Sequence, residues 1–304
     1  MKKIRFINRG GFYSNVIYSM VDPIIKHLPE SSYEIITETY NDSKKAWLHN
    51  VTDDDFDVSF FSDVSQQHSL FLSHGIADKN YRNANKMKYF DFVGVSGELW
   101  KDKLINQGMD KNKILVVGYP KLDFIFQNRV KTNSSNGKIN VLYAPTHNTR
   151  PENMNSTSTY PRFLNDLEFL KNDFNIKTAK HPANKENRNI TLEDLNWADV
   201  VISDSGSLLY ESLALDIPVV FPDYLVKNNI FKYLNNTFEE KIYKEGIGYH
   251  GNSIEEIREL IYKAYDEGLD KKTQDFIEGI FPKELRGKSG KVIADILREL
   301  VLWV

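Results

Sequence analysis

The sequence contains no cysteine, and this absence excludes several kinds of chemistry at once. It rules out a disulfide framework, a metal site built from thiolates and a cysteine nucleophile. Long apolar runs are also missing, because no stretch approaches the roughly 20 residues that a membrane-spanning helix needs. The basic N-terminus is not followed by the apolar core of a secretion signal. We therefore expect a cytoplasmic protein.

The sequence also has little excess charge of either sign. Lysine and arginine number 39 against 42 aspartates and glutamates, which gives a net charge of −3. This balance argues against nucleic acid as a partner. The motifs Gly-x-Gly-x-x-Gly, Gly-x-Ser-x-Gly and His-Glu-x-x-His are absent. An acidic run at residues 53–57 precedes a predicted strand, which is the wrong edge of a sheet for a ligand, so we expect no metal site there. Because the dinucleotide-binding motif is also absent, we expect no cofactor.

Short β-rich runs alternate with longer helical patterns along the whole chain. This alternation is typical of an α/β protein with parallel sheets flanked by helices. The predicted strands cover residues 3–8, 33–37, 56–61, 69–73, 90–96 and 114–118 in the first half and 139–143, 176–179, 200–203 and 218–221 in the second.

A polar segment at residues 127–140 separates the two series and is typical of a linker. The pattern predicts a Rossmann-like, doubly wound domain at residues 1–128 and another at residues 138–282. We expect the two domains to face a central cleft. Residues 283–304 form an apolar stripe at helical spacing, which predicts a C-terminal amphipathic helix. Packing on the body of the protein is favoured for this helix, and peripheral contact with a membrane stays open.

Ligands in doubly wound sheets bind beyond the carboxyl ends of the strands. Four polar clusters follow predicted strands, at residues 73–75, 144–147, 180–182 and 203–207. Three of the 7 histidines of the chain lie in these clusters, namely His74, His147 and His181. This coincidence carries more weight than any one cluster.

The cluster at residues 203–207 joins a strand to a predicted helix that begins at about Ser207. The unpaired N–H groups of a helix start attract anions, and Gly206 would let a phosphate approach the backbone. Ser205 and Ser207 add hydroxyl donors, and Glu211 lies one turn further on, where it could accept from a ribose hydroxyl. The alternative is an ordinary helix cap, since serine and aspartate are preferred cap residues.

His74 can act as a general base, because an unperturbed histidine titrates near pH ~6.5. The alternative is a histidine with a purely structural role. His181 precedes Pro182, which favours an extended backbone that could aim the ring into a cleft. His147 is the weaker candidate of the three, because its neighbours are typical of a loop.

Together the clusters resemble the CDP-glycerol glycerophosphotransferase family, which includes teichoic acid primases and polymerases. The resemblance covers about residues 70–225. The matching stretches, in the order of the family, are His74-Gly75 with Lys79, then residues 117–123, residues 142–146, His181-Pro182, residues 198–207 and residues 218–221.

The resemblance implies a GT-B fold and the transfer of a polyol phosphate, glycerol phosphate or ribitol phosphate, from a CDP-linked donor to an acceptor hydroxyl, with release of CMP. His74 would be the general base, and His181 would hold or protonate the donor phosphates. The residues implied in donor binding are Gly75, Lys79, Pro145, Thr146, His147, Asp204, Ser205, Gly206, Ser207 and Glu211. The acceptor would be a glycan or a lipid-linked chain, handled in the cytoplasm at the inner face of the membrane.

Alternatives from other classes stay open. Residues 204–206 read Asp-Ser-Gly and also resemble the corresponding loop of UDP-sugar 2-epimerases. A GT-B glycosyltransferase that uses a nucleotide sugar would share the cleft and the phosphate-binding helix start. A nucleotide-binding subunit without activity would share them too.

Overall fold

The computed structural model describes residues 3–9, 14–41, 46–48, 55–61, 68–78, 84–130, 136–146, 156–179 and 192–303. The chain divides into two compact units. The first unit comprises Met1–Ile76, Asn80–Asn128 and Glu278–Val304, and the second comprises Ala77–Lys79 and Arg129–Ile277. The chain therefore enters the second unit briefly after Ile76, and its C-terminal segment belongs to the first unit.

A parallel sheet forms the centre of the first unit. The strands of this unit are β1 (Ile4–Asn8), β2 (Tyr33–Thr37), β3 (Thr39–Asn41), β4 (Ala46–Leu48), β5 (Phe56–Ser59), β6 (Ser69–Leu72), β7 (Phe92–Val95) and β8 (Ile114–Val116). Six of them pair in the order β2-β1-β5-β6-β7-β8, all parallel, whereas β3 and β4 form a short antiparallel pair. Strands β1, β5 and β6 are buried at every residue, as expected for a parallel sheet covered on both faces.

The helices of this part of the chain are α1 (Ser14–Ile25), α2 (Ala84–Met87), α3 (Glu98–Asn106) and α4 (Asp123–Asn128). Helix α3 confirms the helix that the sequence predicts between the strands at 90–96 and 114–118. It ends at Asn106, and the chain turns away at Gly108, which has φ +82° and donates its N–H to the carbonyl of Ile105. Helix α1 continues through Pro23 and ends two residues later.

The second unit contains a second parallel sheet. Its strands are β9 (Asn140–Ala144), β10 (Asn175–Thr178), β11 (Val200–Ser203), β12 (Val219–Pro222) and β13 (Tyr249–Gly251), in the order β10-β9-β11-β12-β13. Its helices are α5 (Leu164–Leu170), α6 (Leu192–Trp197), α7 (Ser207–Ala214), α8 (Asp223–Tyr233), α9 (Phe238–Glu245), α10 (Ile254–Glu267) and most of α11 (Lys271–Ile280). Side chains of β9, β11, α5 and α10 form a core that includes Val141, Tyr143, Leu167, Val200, Ile202, Ile257 and Ile261.

The predicted α/β fold with two parallel sheets is confirmed. The strands predicted at 33–37 and 200–203 match β2 and β11 in full. Strands β3, β4 and β13 are not among the predicted strands, and each of them has only 3 residues. Runs this short hold less than two periods of side-chain alternation, so they carry almost no pattern.

Residues 117–123 hold the start of the C-terminal helix α12 (Ser289–Trp303), which belongs to the first unit. The carboxylate of Asp123 accepts from the N–H groups of Ser289 and Gly290, at 3.1 and 2.7 Å, and so caps the start of the helix. The Ser289 hydroxyl accepts from the N–H of Tyr119 at 2.9 Å. Gly118 has φ +81°, and a Cβ there would lie 2.2 Å from the Ser289 Oγ. Residues 117–123, which are part of the family resemblance, therefore have the structural role of holding α12.

The apolar stripe of α12 packs on the protein. Ile293, Ala294 and Leu297 are fully buried, and a Cβ at Gly290 would lie 2.1 Å from the carbonyl oxygen of Pro23 in α1. These side chains are therefore engaged within the first unit. Within the described ranges, no helix has the length and apolar character needed to cross a bilayer.

Candidate active site

His74 lies just beyond the carboxyl end of β6 in the first unit. Its Nδ1 is 2.9 Å from the carbonyl oxygen of Phe60. Because a carbonyl oxygen only accepts, Nδ1 carries the proton in this contact, and Nε2 is the basic nitrogen of the neutral ring. The turn around the histidine is fixed locally, since the Ser73 hydroxyl donates to the carbonyl of Gly75 at 2.6 Å.

An aromatic ring packs on this histidine, and an ion pair lies on the other side of that ring. The ring of Phe61 packs against the His74 ring with centroids 4.6 Å apart and a tilt of 30°. The guanidinium of Arg9 lies over the Phe61 ring, 4.0 Å from its centroid. Arg9 in turn pairs with Glu38. Arg9 and Glu38 are not among the predicted site residues, although each directly follows a predicted strand, which is the signal that selected His74. Phe61 lies inside the strand predicted at 56–61, whereas the structure ends that strand at Ser59.

In the second unit, the carboxylate of Asp204 organises the loop that follows β11. Its Oδ1 accepts from the N–H groups of Thr146 and Ser205, at 2.8 and 2.6 Å. Its Oδ2 accepts from the N–H and the hydroxyl of Thr159, at 2.8 and 3.0 Å. Asp204 thus ties the loops after β9 and β11 to the segment before α5.

Burial raises the pKa of the Asp204 carboxyl, and the hydrogen bonds from Thr159, Thr146 and Ser205 lower it again in part. The side chain is fully buried, and four donors converge on its oxygens. This geometry directs the carboxylate towards the protein.

Gly206 and Thr146 lie in close contact where the two loops meet. A Cβ at Gly206 would lie 3.3 Å from both the Cβ and the Oγ1 of Thr146. The space beside this glycine is therefore used by Thr146, where the sequence analysis expected a phosphate to approach. Pro145, the residue between β9 and Thr146, is buried.

The start of α7 follows directly. Gly206 is its N-cap, with extended backbone and no hydrogen bond from a capping side chain. The Ser207 hydroxyl accepts from the N–H of Ala77 at 3.3 Å, which leaves its own proton to donate elsewhere. The Ser205 hydroxyl lies 3.3 Å from the carbonyl oxygen of Thr157. The first turn of α7 thus presents backbone N–H groups at the positive end of the helix dipole.

Glu211 lies one turn into α7 and is buried. The structure therefore places Thr146, Asp204, Ser205, Gly206, Ser207 and Glu211 on neighbouring elements of the second unit, and His74 and Gly75 in the first unit. Lys79, His147 and His181 lie outside the described residues.

His250, at the carboxyl edge of the second sheet, is not among the predicted site residues. His250 on β13 places Nδ1 2.7 Å from the Asp223 carboxylate and Nε2 3.1 Å from the carbonyl oxygen of Ile247. Its ring stacks on Phe221 with centroids 4.7 Å apart. Both ring nitrogens face acceptors of the protein, so this ring has a structural role.

The acidic run at residues 53–57 has contacts of its own. Asp57 pairs with Arg5 at 2.7 Å, and both side chains are almost fully buried. Asp55 accepts from the N–H of Lys3 at 2.9 Å. Asp53 and Asp54 lie outside the described residues. The two described carboxylates are therefore engaged in holding β1 and β5.

Two parallel α/β sheets, each flanked by helices, are the architecture of the GT-B type of fold. Structural comparison gives the same class. The wall teichoic acid polymerase TagF is 17% identical, with a TM-score of 0.65 over 99% of this chain and 89% of that chain. The UDP-GlcNAc 2-epimerase of Methanocaldococcus jannaschii is 16% identical, with a TM-score of 0.60 over 98% of this chain and 100% of that chain. MnaA of S. aureus in complex with UDP is 12% identical, with a TM-score of 0.61 over 100% of this chain and 98% of that chain.

Comparison with curated proteins gave no match. The family model for CDP-glycerol:poly(glycerophosphate) glycerophosphotransferase matches residues 49–227, which is more than half of the chain. The chain belongs to this family and is a transferase. The resemblance that the sequence analysis drew from its motifs is confirmed.

Proposed function

We propose that this enzyme transfers glycerol phosphate or ribitol phosphate from a CDP-linked donor to an acceptor hydroxyl and releases CMP. The product would be a teichoic-acid-like polymer or another cell-surface glycan. Membership of the glycerophosphotransferase family supports the reaction class. A TagF structure obtained after a soak with CDPG, similar in fold to this chain, agrees with a CDP-linked donor.

The observation that carries the proposal is the orientation of His74. Its Nδ1 donates to the carbonyl of Phe60, so Nε2 is the nitrogen that can take a proton. In the proposed step, the acceptor hydroxyl gives its proton to Nε2. The acceptor oxygen forms a bond to the phosphorus that bears the polyol. The bond from that phosphorus to the bridging oxygen breaks, and CMP leaves with the electron pair.

The start of α7 is the proposed cradle for the donor phosphates. Phosphoryl transfer depends mainly on positioning and on stabilising charge at the phosphate oxygens. The N–H groups after Gly206 and the hydroxyl of Ser207 can donate to those oxygens. In this proposal Asp204 positions the cradle, because its oxygens hold Thr146 and Ser205 in place.

His181, Lys79 and His147 remain part of the proposal on the strength of the family resemblance. His181 would hold or protonate the donor phosphates. Glu211 would accept from the ribose. The acceptor would be a glycan or a lipid-linked chain, reached in the cytoplasm at the inner face of the membrane. The apolar residues Ile293 and Leu297 of α12 are buried, so membrane contact would rest on other surfaces.

One specific observation favours a second candidate, a UDP-sugar 2-epimerase. The archaeal epimerase matches 98% of this chain with a TM-score of 0.60, close to the value for TagF. Such an enzyme would bind UDP compounds in place of CDP compounds and would need no acceptor.

Thermal unfolding in the presence of CMP, CDP, CDP-glycerol, CDP-ribitol, UDP, UDP-GlcNAc and GDP distinguishes the two candidates. A ligand at about 100 times its dissociation constant stabilises the folded state by about 2.7 kcal/mol, which is easily measured. Stabilisation by the cytidine compounds alone, followed by acceptor-dependent release of CMP, would support the phosphotransferase. Stabilisation by UDP compounds alone would overturn it in favour of the epimerase.

A further inference from the structure

We propose that Arg9 and Glu38 are positioning residues for His74, because their buried ion pair fixes the Phe61 side chain that sets the plane of the histidine ring. The inference rests on the proposed role of His74 as the general base. It concerns residues that the motifs of the sequence do not indicate.

The order of the first sheet brings these residues together. Strands β2, β1, β5 and β6 are consecutive neighbours and all run parallel. Glu38 follows β2, Arg9 follows β1, Phe61 follows β5 and His74 follows β6. The carboxyl ends of parallel neighbours lie at one edge, so four positions far apart in the sequence form one row.

The ion pair is the fixed end of this row. The Nε of Arg9 donates to the Oε2 of Glu38 at 3.1 Å, and the two side chains are only 8% and 0% exposed. A buried charge pair is costly to break, because the remaining charge would be left uncompensated. The backbone adds a further restraint, since Glu38 donates its N–H to the carbonyl of Asn8 at 2.8 Å. The guanidinium is therefore held in one position.

Phe61 lies between the Arg9 guanidinium and the His74 ring and contacts both. The Arg9 guanidinium lies 4.0 Å from the centroid of the Phe61 ring, a cation–π contact that is strengthened by burial. The same ring packs on His74 at 4.6 Å. Phe61 restricts the plane of the imidazole, while the carbonyl of Phe60 accepts from Nδ1 and restricts its rotation. These two restraints together direct Nε2.

Such control matters for a general base. A displacement of about 1 Å at a reacting group can lower the rate by about a hundredfold. A loosened His74 would therefore reduce turnover while the donor still binds in the second unit. Loss of kcat with an unchanged KM for the donor is the kinetic result expected for a positioning role.

Because Arg9 and Glu38 carry opposite charges, removing each one should move the pH–rate profile in opposite directions. Among the charged and titratable groups near His74 in the first unit, Arg9 lies on the far side of the Phe61 ring and pairs with Glu38, and the Tyr119 hydroxyl donates to the His74 carbonyl. Glu38→Gln leaves a positive charge near the imidazole, which moves the acidic limb of the pH–rate profile to lower pH. Arg9→Gln leaves a negative charge and moves that limb to higher pH.

The experiment compares Arg9→Gln, Glu38→Gln and the double variant in the full chain, using CDP-glycerol and the acceptor found by CMP release. We expect opposite shifts of the acidic limb in the single variants and a return towards the wild-type position in the double variant. Phe61→Leu, which keeps an apolar side chain, should lower kcat at least tenfold and change the KM for CDP-glycerol by less than twofold. A purely structural role would give shifts of one sign or none, and that result would overturn the proposal.

A second measurement is independent of activity. In the ¹⁵N spectrum of histidine-labelled protein, His74 should show one tautomer, protonated at Nδ1, and its signal is assigned by its loss in His74→Asn. Phe61→Leu and Arg9→Gln should mix the tautomers, while His250 in the second unit serves as an unchanged reference. An unaltered His74 tautomer in both variants would contradict the positioning role. Full turnover by His74→Asn would instead overturn the proposed base, whatever the spectrum shows.

Discussion

At the scale of single residues, His74 gives the most direct test of the reaction. His74→Asn keeps a polar side chain but cannot take a proton, so turnover should fall by about 10²- to 10⁴-fold. Thermal stabilisation by CMP should be retained, because the proposed donor cradle lies in the second unit. His27→Asn, a change at the end of α1 away from the site, is the matched control and should keep full activity. Loss of activity in both variants would point to a general effect on the fold.

Ser207 offers a test of the donor cradle. Ser207→Ala removes one hydroxyl donor and should weaken CDP binding about three- to tenfold, as expected for loss of one hydrogen bond worth about 1 kcal/mol. Ser253→Ala is the matched control, because Ser253 caps α10 by accepting from the N–H of Glu256. That variant should lose about 1 kcal/mol of stability and bind CDP normally. Equal affinity of both variants for CDP, measured by calorimetry, would place the phosphates elsewhere.

The sequence predicts the position of some residues of the site but not the orientation of their side chains. His74 follows a strand and could be found from position alone. The orientation of the Asp204 carboxylate depends on Thr146 and Thr159, which are 58 and 45 residues away in the chain. No local pattern encodes such partners, so the same rule that finds the loop cannot tell whether this carboxylate faces a ligand or the protein.

At the scale of elements, the seating of α12 can be tested with a pair of glycines. Gly118 and Gly137 have φ values of +81° and +73°, so alanine at either position strains the backbone, by about 1–2 kcal/mol. A Cβ at Gly137 meets no atom within 4 Å, whereas one at Gly118 meets Ser289 at 2.2 Å. Gly118→Ala should therefore cost about 1–3 kcal/mol more than Gly137→Ala. Equal losses of stability in thermal unfolding would show that α12 does not press on Gly118.

The same helix shows what amphipathicity can predict. The apolar stripe in α12 indicates that one face is buried, and Ile293, Ala294 and Leu297 are indeed fully buried. It does not indicate the surface that buries this face. The face packs on α1, and the start of α12 is held by Tyr119 in the loop after β8 and by Asp123 at the start of α4. Their contacts to Ser289 and Gly290 span more than 160 residues of sequence. Only the folded chain brings them together.

At the scale of the whole molecule, the sequence was sufficient for the fold class and insufficient for the path of the chain. Alternation of strands and helices predicts two parallel sheets, because crossover connections require helices between parallel strands. It does not predict that Ala77 and Asp78 belong to the second unit. Asp78 donates its N–H to the Glu239 carboxylate at 2.9 Å, and its own carboxylate accepts from the N–H of Phe238 at 2.5 Å. Such contacts have no periodicity.

The dependence of stability on pH tests the seating of the C-terminal segment in the intact molecule. Burial raises the pKa of the Asp123 carboxyl, against a smaller lowering by the N–H groups of Gly290 and Ser289. The folded state therefore holds this proton more tightly than the unfolded state, in which aspartate has a pKa of about 3.9. The stabilisation linked to that proton is complete below the pKa of Asp123 in the unfolded state. It is lost as the pH rises through the pKa of Asp123 in the folded state.

Asp123→Asn serves as the reference, because asparagine does not titrate. The free energy of unfolding of the wild type minus that of Asp123→Asn should fall as the pH rises from about 4 to 7 in urea titrations. Asp295 is the control of opposite sign, since its ion pair with Lys291 lowers the pKa of its carboxyl. The corresponding difference for Asp295→Asn should rise with pH, and only slightly, because solvent screens exposed pairs. A difference for Asp123 that stays constant with pH would mean that burial does not raise the pKa of this carboxyl. A difference that grows with pH would mean that the hydrogen bonds from Ser289 and Gly290 outweigh burial.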